Sequence, residues 1–309
     1  LRLPRVMPSG SAAGGVPPLV SVVMPSLNQA RFLEQALRSV LEQSHRRLEL
    51  IVADGGSGDG TLELLQQWQA RDARVRFFSE PDTGPADALN KALARVRGTV
   101  VGWLNADDEY TPGAVERTLQ ALHSQPHWAL VYGHGEHMDE AGKPLAPYPT
   151  LPPHTPLERF NEGCFICQPT VFFKRTVPLL LGPLDESLKT AFDFDYWLRA
   201  FGRLEGRIGF VDALQARSRL HDQCITRRAR MRVTLEGMQV LWRHQKAAPG
   251  QWLLSYLEEL LADPKARGDA GALDGHMAQM LEQARPWLDP LALPHLQQQV
   301  ARRLQRDRT

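Results

Sequence analysis

From Leu19 to Asp108 the chain repeats one rhythm: a short apolar run, a polar or glycine-rich break, then an amphipathic stretch. Leu19-Val20-Ser21-Val22-Val23-Met24 stops at Pro25 and predicts a buried strand. Leu33, Ala36, Leu37, Val40 and Leu41 then recur at helical spacing. Leu48 to Ala53 predicts a second strand, ended by Asp54-Gly55-Gly56-Ser57-Gly58-Asp59-Gly60. Thr61 or Asp59 would cap the next helix, with Leu62, Leu65 and Trp68 on its inner stripe. A third strand at Val75 to Ser79, a helix at Ala86 to Val96 and a fourth strand at Thr99 to Leu104 follow. Such alternation demands right-handed crossovers, hence an α/β fold with a mostly parallel sheet and helices on both faces. Ligands of these sheets sit beyond the carboxyl ends of the strands. Polar clusters fall at three such ends: Pro25-Ser26-Leu27-Asn28, Asp54-Gly55-Gly56-Ser57 and Asn105-Ala106-Asp107-Asp108.

Composition narrows the class. With 309 residues, 43% hydrophobic and 23% charged, the chain is neither disordered, collagen-like nor a disulfide scaffold. Lys+Arg 36 against Asp+Glu 35 leaves a net charge of +1, so no global field draws it to nucleic acid. No apolar run reaches the roughly 18 residues of a membrane span. The 3 cysteines argue for a reducing, cytoplasmic compartment. Residues 1–18 are Pro-, Gly- and Ser-rich and read as a flexible tail; with no apolar leader and no initial Met, the chain reads as trimmed.

Past Pro112, where a helix is expected to begin, the rhythm loosens. Trp128 to Tyr132 and Thr170 to Phe173 predict strands around a Pro-rich loop from Pro144 to Pro156. Ala191 to Phe201 predicts a helix, and Ile208 to Val211 and Leu214 to Leu220 predict two closing strands. From about Ile225 the pattern is helical, with stripes at Leu253, Tyr256, Leu257, Leu260, Leu261 and at Leu293, Leu296, Val300, Leu304. The expected units are residues 19–225 and a helical extension, 226–309.

The carboxylates of Asp107 and Asp108 repel unless a cation or hydrogen-bond donors relieve them. Hard oxygen ligands select Mg²⁺ or Mn²⁺, which would carry a diphosphate; the same residues read equally as a helix N-cap. Asp54 has a comparable plain reading, an Asx turn. Asp193 has Trp197 at i+4 and no cationic partner, so desolvation would raise its pKa toward that of a useful base, unless it is an exposed flank residue. Asp195 has Arg199 at i+4 and reads as a surface ion pair. Cys164-Phe165-Ile166-Cys167 with His221 and Cys224 has zinc-like spacing, but its apolar setting reads better as buried thiols. Arg302, Arg303, Arg306 and Arg308 form a basic helical end that is either solvated or in contact with anionic lipid.

Taken in order, Ser21 to Asn28, Leu50 to Thr61, Glu80 to Gly84, Asp87 to Lys91, Trp103 to Asp108, Gln168-Pro169-Thr170, Phe192 to Arg199 and Arg219-Leu220-His221 closely resemble family-2 nucleotide-sugar glycosyltransferases with the GT-A fold. The resemblance implies that Asp54 holds the nucleotide base, with Pro25, Ser26 and Asn28 lining the same pocket. It implies nucleoside or phosphate contacts at Asp82 and Lys91, and places Asn105-Ala106-Asp107 at the metal-binding Asp-X-Asp signature. Asp107 would ligate the metal, with Asp108 a further candidate; His221 would approach the metal or the diphosphate, and Asp193 would be the general base. Acceptor binding would fall around Gln168 and the loop from Pro144 to Glu162. Two residues depart from the family pattern: Asn105 replaces the first Asp of the signature, and Gly55 stands where many relatives have a second Asp.

The implied reaction is inverting transfer from a nucleoside-diphosphate sugar of UDP, GDP or dTDP type, with Mn²⁺ or Mg²⁺, to a glycan or lipid-linked acceptor in bacterial surface polysaccharide synthesis. Strand alternation would aim both Arg219 and His221 at the leaving group. Nucleotidyl transfer would need a Lys- or Arg-bearing first loop, which Pro25 to Asn28 does not offer. A non-catalytic sugar-nucleotide-binding protein would not need Asp193.

Overall fold

The computed structural model describes residues 16–246, 248–262 and 270–306. Most of the expected tail (1–15) and Arg308 of the basic end lie outside the described residues. The order is β1 (Val20–Ser26), α1 (Ala30–Leu41), β2 (Leu48–Asp54), α2 (Thr61–Arg71), β3 (Val75–Ser79), α3 (Pro85–Leu93) and β4 (Val100–Trp103). Next come β5 (Glu109–Tyr110), α4 (Ala114–Ser124), β6 (Leu130–Met138), β7 (Pro144–Pro147), β8 (Phe172–Lys174), α5 (Val177–Leu181), α6 (Phe192–Arg203) and β9 (Ile208–Arg219). The described residues then form α7 (Ile225–Arg228), α8 (Arg230–Gln245), α9 (Gln251–Ala262), α10 (Ala270–Ala284) and α11 (Leu293–Arg306).

The strands lie in the order β3-β2-β1-β4-β8-β6-β9-β5, with β7 beside β6. Period-2 alternation sorts β1 and β2 between two cores. Val20, Val22, Met24, Leu50 and Val52 pack with Leu33 and Leu37 of α1, Leu65 of α2 and Val115 of α4. Val23, Ile51 and Ala53 point the other way, toward Leu89 of α3 and Trp197 of α6. Helices therefore cover both faces, as the alternation requires.

The mostly parallel sheet holds for only part of the structure. β1 through β4 pair in parallel, but β8 is antiparallel to β4 and to β6. The β6–β9 pair is parallel, and β5 is antiparallel to β9. A strand–helix–strand crossover returns the chain to the same end of the sheet, so β1 to β4 run parallel; past β4 the connections are longer and irregular, and both directions occur. The Pro144 loop opens with β7, whose prolines suit an exposed edge strand. The two expected closing strands are one, β9, with register shifts against Gly133 to Gly135.

The C-terminal helices form their own core around Met238, Leu253, Leu257, Met277, Met280, Leu296 and Val300. α8 serves both, since Val240 and Leu241 belong to the core containing Trp197. Among the described residues no helix is long and apolar enough to cross a membrane. In the basic end, Arg303 pairs with Glu258 of α9 at 3.1 Å.

Candidate active site

The ends of β1, β2 and β4 lie side by side because the register pairs Val23 with Ile51 and with Trp103. At the end of β2, Asp54 is buried and accepts hydrogen bonds from the Gly56 and Ser57 amides, both at 2.9 Å, and from Ser79 Oγ at 2.7 Å. The Asx turn is thus real. Ser57 joins this turn to β1: its hydroxyl bonds Asp54 and accepts the Asn28 amide at 2.7 Å. Asn28 holds φ at 53° and accepts the Gly58 amide through Oδ1 at 2.9 Å. Pro25 is half-buried, while the Ser26 hydroxyl is buried without a partner. The α2 start differs slightly from expectation: Gly60 occupies the cap position, and Asp59 accepts the Thr61 amide.

Asp82 stands against this turn. A Cβ on Gly55 would overlap the Asp82 carboxylate, so a side chain there would have to displace the end of Asp82. Burial raises the Asp82 pKa, Asp87 and Asp54 add to the rise, and the Gly84 amide and Lys91 oppose it. Lys91 faces Asp87 at 3.2 Å and donates to the Pro81 carbonyl at 3.0 Å.

At the end of β4, Asn105 accepts the Trp103 indole N–H at 3.2 Å. Its amide donates to Asp108 Oδ2 at 3.1 Å and to Gln168 Oε1 at 2.8 Å. Gln168 Nε2 donates to the Trp103 carbonyl at 2.8 Å, so both ends of that amide brace the β4 end. Ala106 is buried. Asp108 is 3% exposed and also accepts the Arg219 amide at 2.9 Å. Burial first, then the Asp107 charge, pushes Asp108 well above the usual carboxylate range. No helix begins here, since β5 intervenes before α4.

Asp107 Oδ2 lies 2.9 Å from His221 Nε2, and His221 packs 4.7 Å from the Phe32 ring. Arg219 does not face a leaving group as strand alternation suggested, because its guanidinium is buried inside the protein. It bonds the Asp107, Asp139 and Glu140 carbonyls at 2.8, 3.2 and 3.0 Å and pairs with Glu109. This hub was missed from sequence; the available signal was one arginine two residues before His221, set against the acidic run 107–109.

Asp193 lies in the first turn of α6, partly buried, with the Phe194 amide donating to Oδ1 at 2.8 Å. Loss of water raises its pKa to about 6, against the smaller pull of that amide. Asp195 is a correction: it does pair with Arg199 at 2.9 Å, but inside the protein, 4% exposed, with His244 at 2.8 Å. Burial and the Asp193 charge push the Cys164 thiol up to about 12, and burial raises Cys167. Among the described residues no three His, Cys, Asp or Glu side chains gather as a metal-binding group. Asp107 and His221 nevertheless offer one hard oxygen and one imidazole nitrogen, donors that suit a divalent cation, and among the described residues no Lys or Arg side chain pairs with that carboxylate. A cleft of about 240 Å³ among the C-terminal helices, lined by Asn161, Gly250, Leu288 and Leu296, shares no residue with this cluster.

The architecture is that of GT-A enzymes. The chain is similar to S. aureus TarS 1–349 in complex with UDP-GlcNAc, with TM-score 0.59 at 15% identity over 94% of this chain and 89% of that one. It is also similar to the mannosyltransferase PcManGT from Pyrobaculum calidifontis in complex with GDP-Man and Mn²⁺, with TM-score 0.57 at 19% identity over 92% and 80%. A family model, glycosyl transferase family 2, matches residues 21–177, just over half of the chain, and the chain belongs to that family. Escherichia coli chondroitin synthase is 31% identical over 182 residues, 59% of this chain and 26% of the relative. The putative teichuronic acid biosynthesis glycosyltransferase TuaG of Bacillus subtilis is 41% identical over 106 residues, 34% of this chain and 42% of the relative. The chain therefore spans about a quarter to two fifths of these relatives' length.

Proposed function

We propose that this glycosyltransferase inverts configuration as it moves a sugar from a UDP-, GDP- or dTDP-sugar to a hydroxyl of a glycan or lipid-linked acceptor in bacterial surface polysaccharide synthesis. One observation carries the reading: the Asp107–His221 pair, 2.9 Å apart, follows the carboxyl end of β4 and the Asp54 turn follows that of β2, with β1 between them. Asp54, Pro25, Ser26 and Asn28 bind the nucleoside; Asp82, Lys91, Asn105 and Ala106 border the ribose and phosphates.

Asp193, with a pKa of about 6, is ionised at neutral pH. Its carboxylate takes the acceptor hydroxyl proton while that oxygen bonds the anomeric carbon from the face opposite the diphosphate. The anomeric C–O bond breaks, and its electron pair leaves on the diphosphate. Asp107 and His221 would hold Mn²⁺ or Mg²⁺, which supplies positive charge where the leaving group's negative charge grows. Gln168 and the Pro144–Glu162 loop border the acceptor. Residues 19–225 form the catalytic unit and 226–309 its helical extension; contact of α11 with a membrane that carries the acceptor belongs to the same proposal.

The test is thermal stabilisation by UDP, GDP and dTDP, with and without Mn²⁺, since tight binding to the fold raises Tm by mass action. One diphosphate should stabilise strongly with the metal, and its sugar conjugates should turn over. No stabilisation by any of them would sink the reading.

A further inference from the structure

The start of α6 lacks a cap of its own. Ala191 stands at the cap position and offers no side-chain acceptor, although the amides at a helix start need partners. Glu236 of α8, from across the fold, instead holds the cap residue and the two residues that lead into it. Its carboxylate accepts the amides of Lys189 at 2.9 Å, Thr190 at 2.7 Å and Ala191 at 3.1 Å, and the Thr190 hydroxyl at 2.8 Å.

Residues 236, 240, 243 and 244 share one face of α8 by helical spacing. Val240 enters the core that holds Phe194 and Trp197. Arg243 Nη1 lies 2.6 Å from Asp185 Oδ2, and His244 Nε2 lies 2.8 Å from Asp195 Oδ1. This one face grips the chain from 185 to 195, the stretch that carries Asp193. The segment also reaches the nucleotide side, because Lys189 Nζ donates to the Thr83 carbonyl at 2.7 Å, next to Asp82.

We infer that Glu236 is a positioning residue for sugar transfer: from the C-terminal helices it fixes the start of α6 and so the aim of Asp193. The inference rests on the reading of Asp193 as the base. A displacement of about 1 Å in a reacting group can cost on the order of 10²-fold in rate, and among the described residues the side-chain acceptor on the Lys189, Thr190 and Ala191 amides is Glu236.

The experiment compares Glu236→Gln and Glu236→Ala with the native full chain, using kcat, donor KM and amide hydrogen exchange over residues 189–195. Glu236→Ala should lower kcat about 10-fold or more while donor KM stays within about 2-fold, the signature of lost transition-state alignment. Glu236→Gln, which keeps one acceptor oxygen, should fall between. Exchange at 189–195 should quicken in both variants and stay unchanged in β1 to β4. If Glu236→Ala fails to fold, the isosteric Gln variant decides on the same readings. Native kcat at temperatures well below Tm, or unaltered exchange at 189–195, would overturn the role. Absence of sugar transfer by the native chain, with exchange quickened as expected, would instead overturn the assignment of Asp193 and the positioning role with it.

Discussion

Nε2 of His221 lies 2.9 Å from Oδ2 of Asp107, across 114 residues of sequence. The pair forms because β9 ends where the loop after β4 begins, and the Arg219 guanidinium ties Asp107 to that strand end. His221→Ala should weaken nucleoside diphosphate binding about 10-fold or more in Mn²⁺, a usual scale for a lost metal-site partner. Binding of the bare nucleoside should not change, and a chelator should abolish the difference between native and variant. Calorimetric titration with both ligands checks this; equal weakening for nucleoside and diphosphate would remove His221 from the phosphate side.

The Asp193 pKa of about 6 fixes two pH dependences. A base must be ionised, so kcat/KM should fall as pH drops below about 6, and Asp193→Asn should lose ~10²-fold or more in turnover with donor affinity retained. The stability effect has the opposite sense. A carboxyl whose pKa is raised on folding holds its proton more tightly in the native state, so stability declines as pH rises from the usual carboxylate range to about 6. Asp193→Asn should therefore raise Tm at pH 8 and leave it nearly unchanged at pH 4. A variant that melts lower at pH 8 would contradict the desolvated carboxylate.

The first half of the fold was legible because its information is local. Val22, Val23 and Met24 alternate between two cores, and each strand, turn and helix of β1 to β4 carries its own periodicity. The Asp54 and Asn105 clusters were legible for the same reason, standing at strand ends. Pairing at a distance was not. Glu109 meets Arg217 and Leu130 meets Ile208, and no neighbouring residue announces either register. Asp195 shows the limit of spacing rules, which detect Arg199 at i+4 but not His244 on a helix 49 residues away.

Asn105→Asp, which restores the acidic signature that the resemblance leads one to expect, should harm this protein. Asn105 donates to Asp108 and Gln168, and Asp108 is already raised well above its usual range by burial and by Asp107. An ionised carboxylate in place of this amide would remove both donors and add a negative charge beside Asp107 and Asp108. We expect a loss of roughly 1–3 kcal/mol at pH 8, the cost of leaving buried acceptors unpaired. The loss should shrink near pH 5, where the new acid can take a proton and donate again. Thermal melts at the two pH values decide, and an equal loss at both would mean that charge is not the cause.

Arg219→Lys tests whether the hub needs a guanidinium or only a charge. The Arg219 side chain is fully buried beneath Glu109, with its guanidinium carbon 4.9 Å from the Phe32 ring centre. Its planar fork serves the Asp107, Asp139 and Glu140 carbonyls and the Glu109 carboxylate at once. An ammonium is a single point with three donors and cannot span those directions. Some carbonyls would stay unpaired, or Glu109 would lose its partner; breaking a buried pair costs about 3–5 kcal/mol, less where one partner is partly wet. Glu109 is 25% exposed, so the lower end applies. Denaturant melts should show a loss of about 3 kcal/mol. Because the Asp107 carbonyl loses its anchor, diphosphate binding in Mn²⁺ should also weaken in the protein that remains folded. A loss under about 1 kcal/mol, the scale of an exposed pair, would mean that charge alone holds the loop.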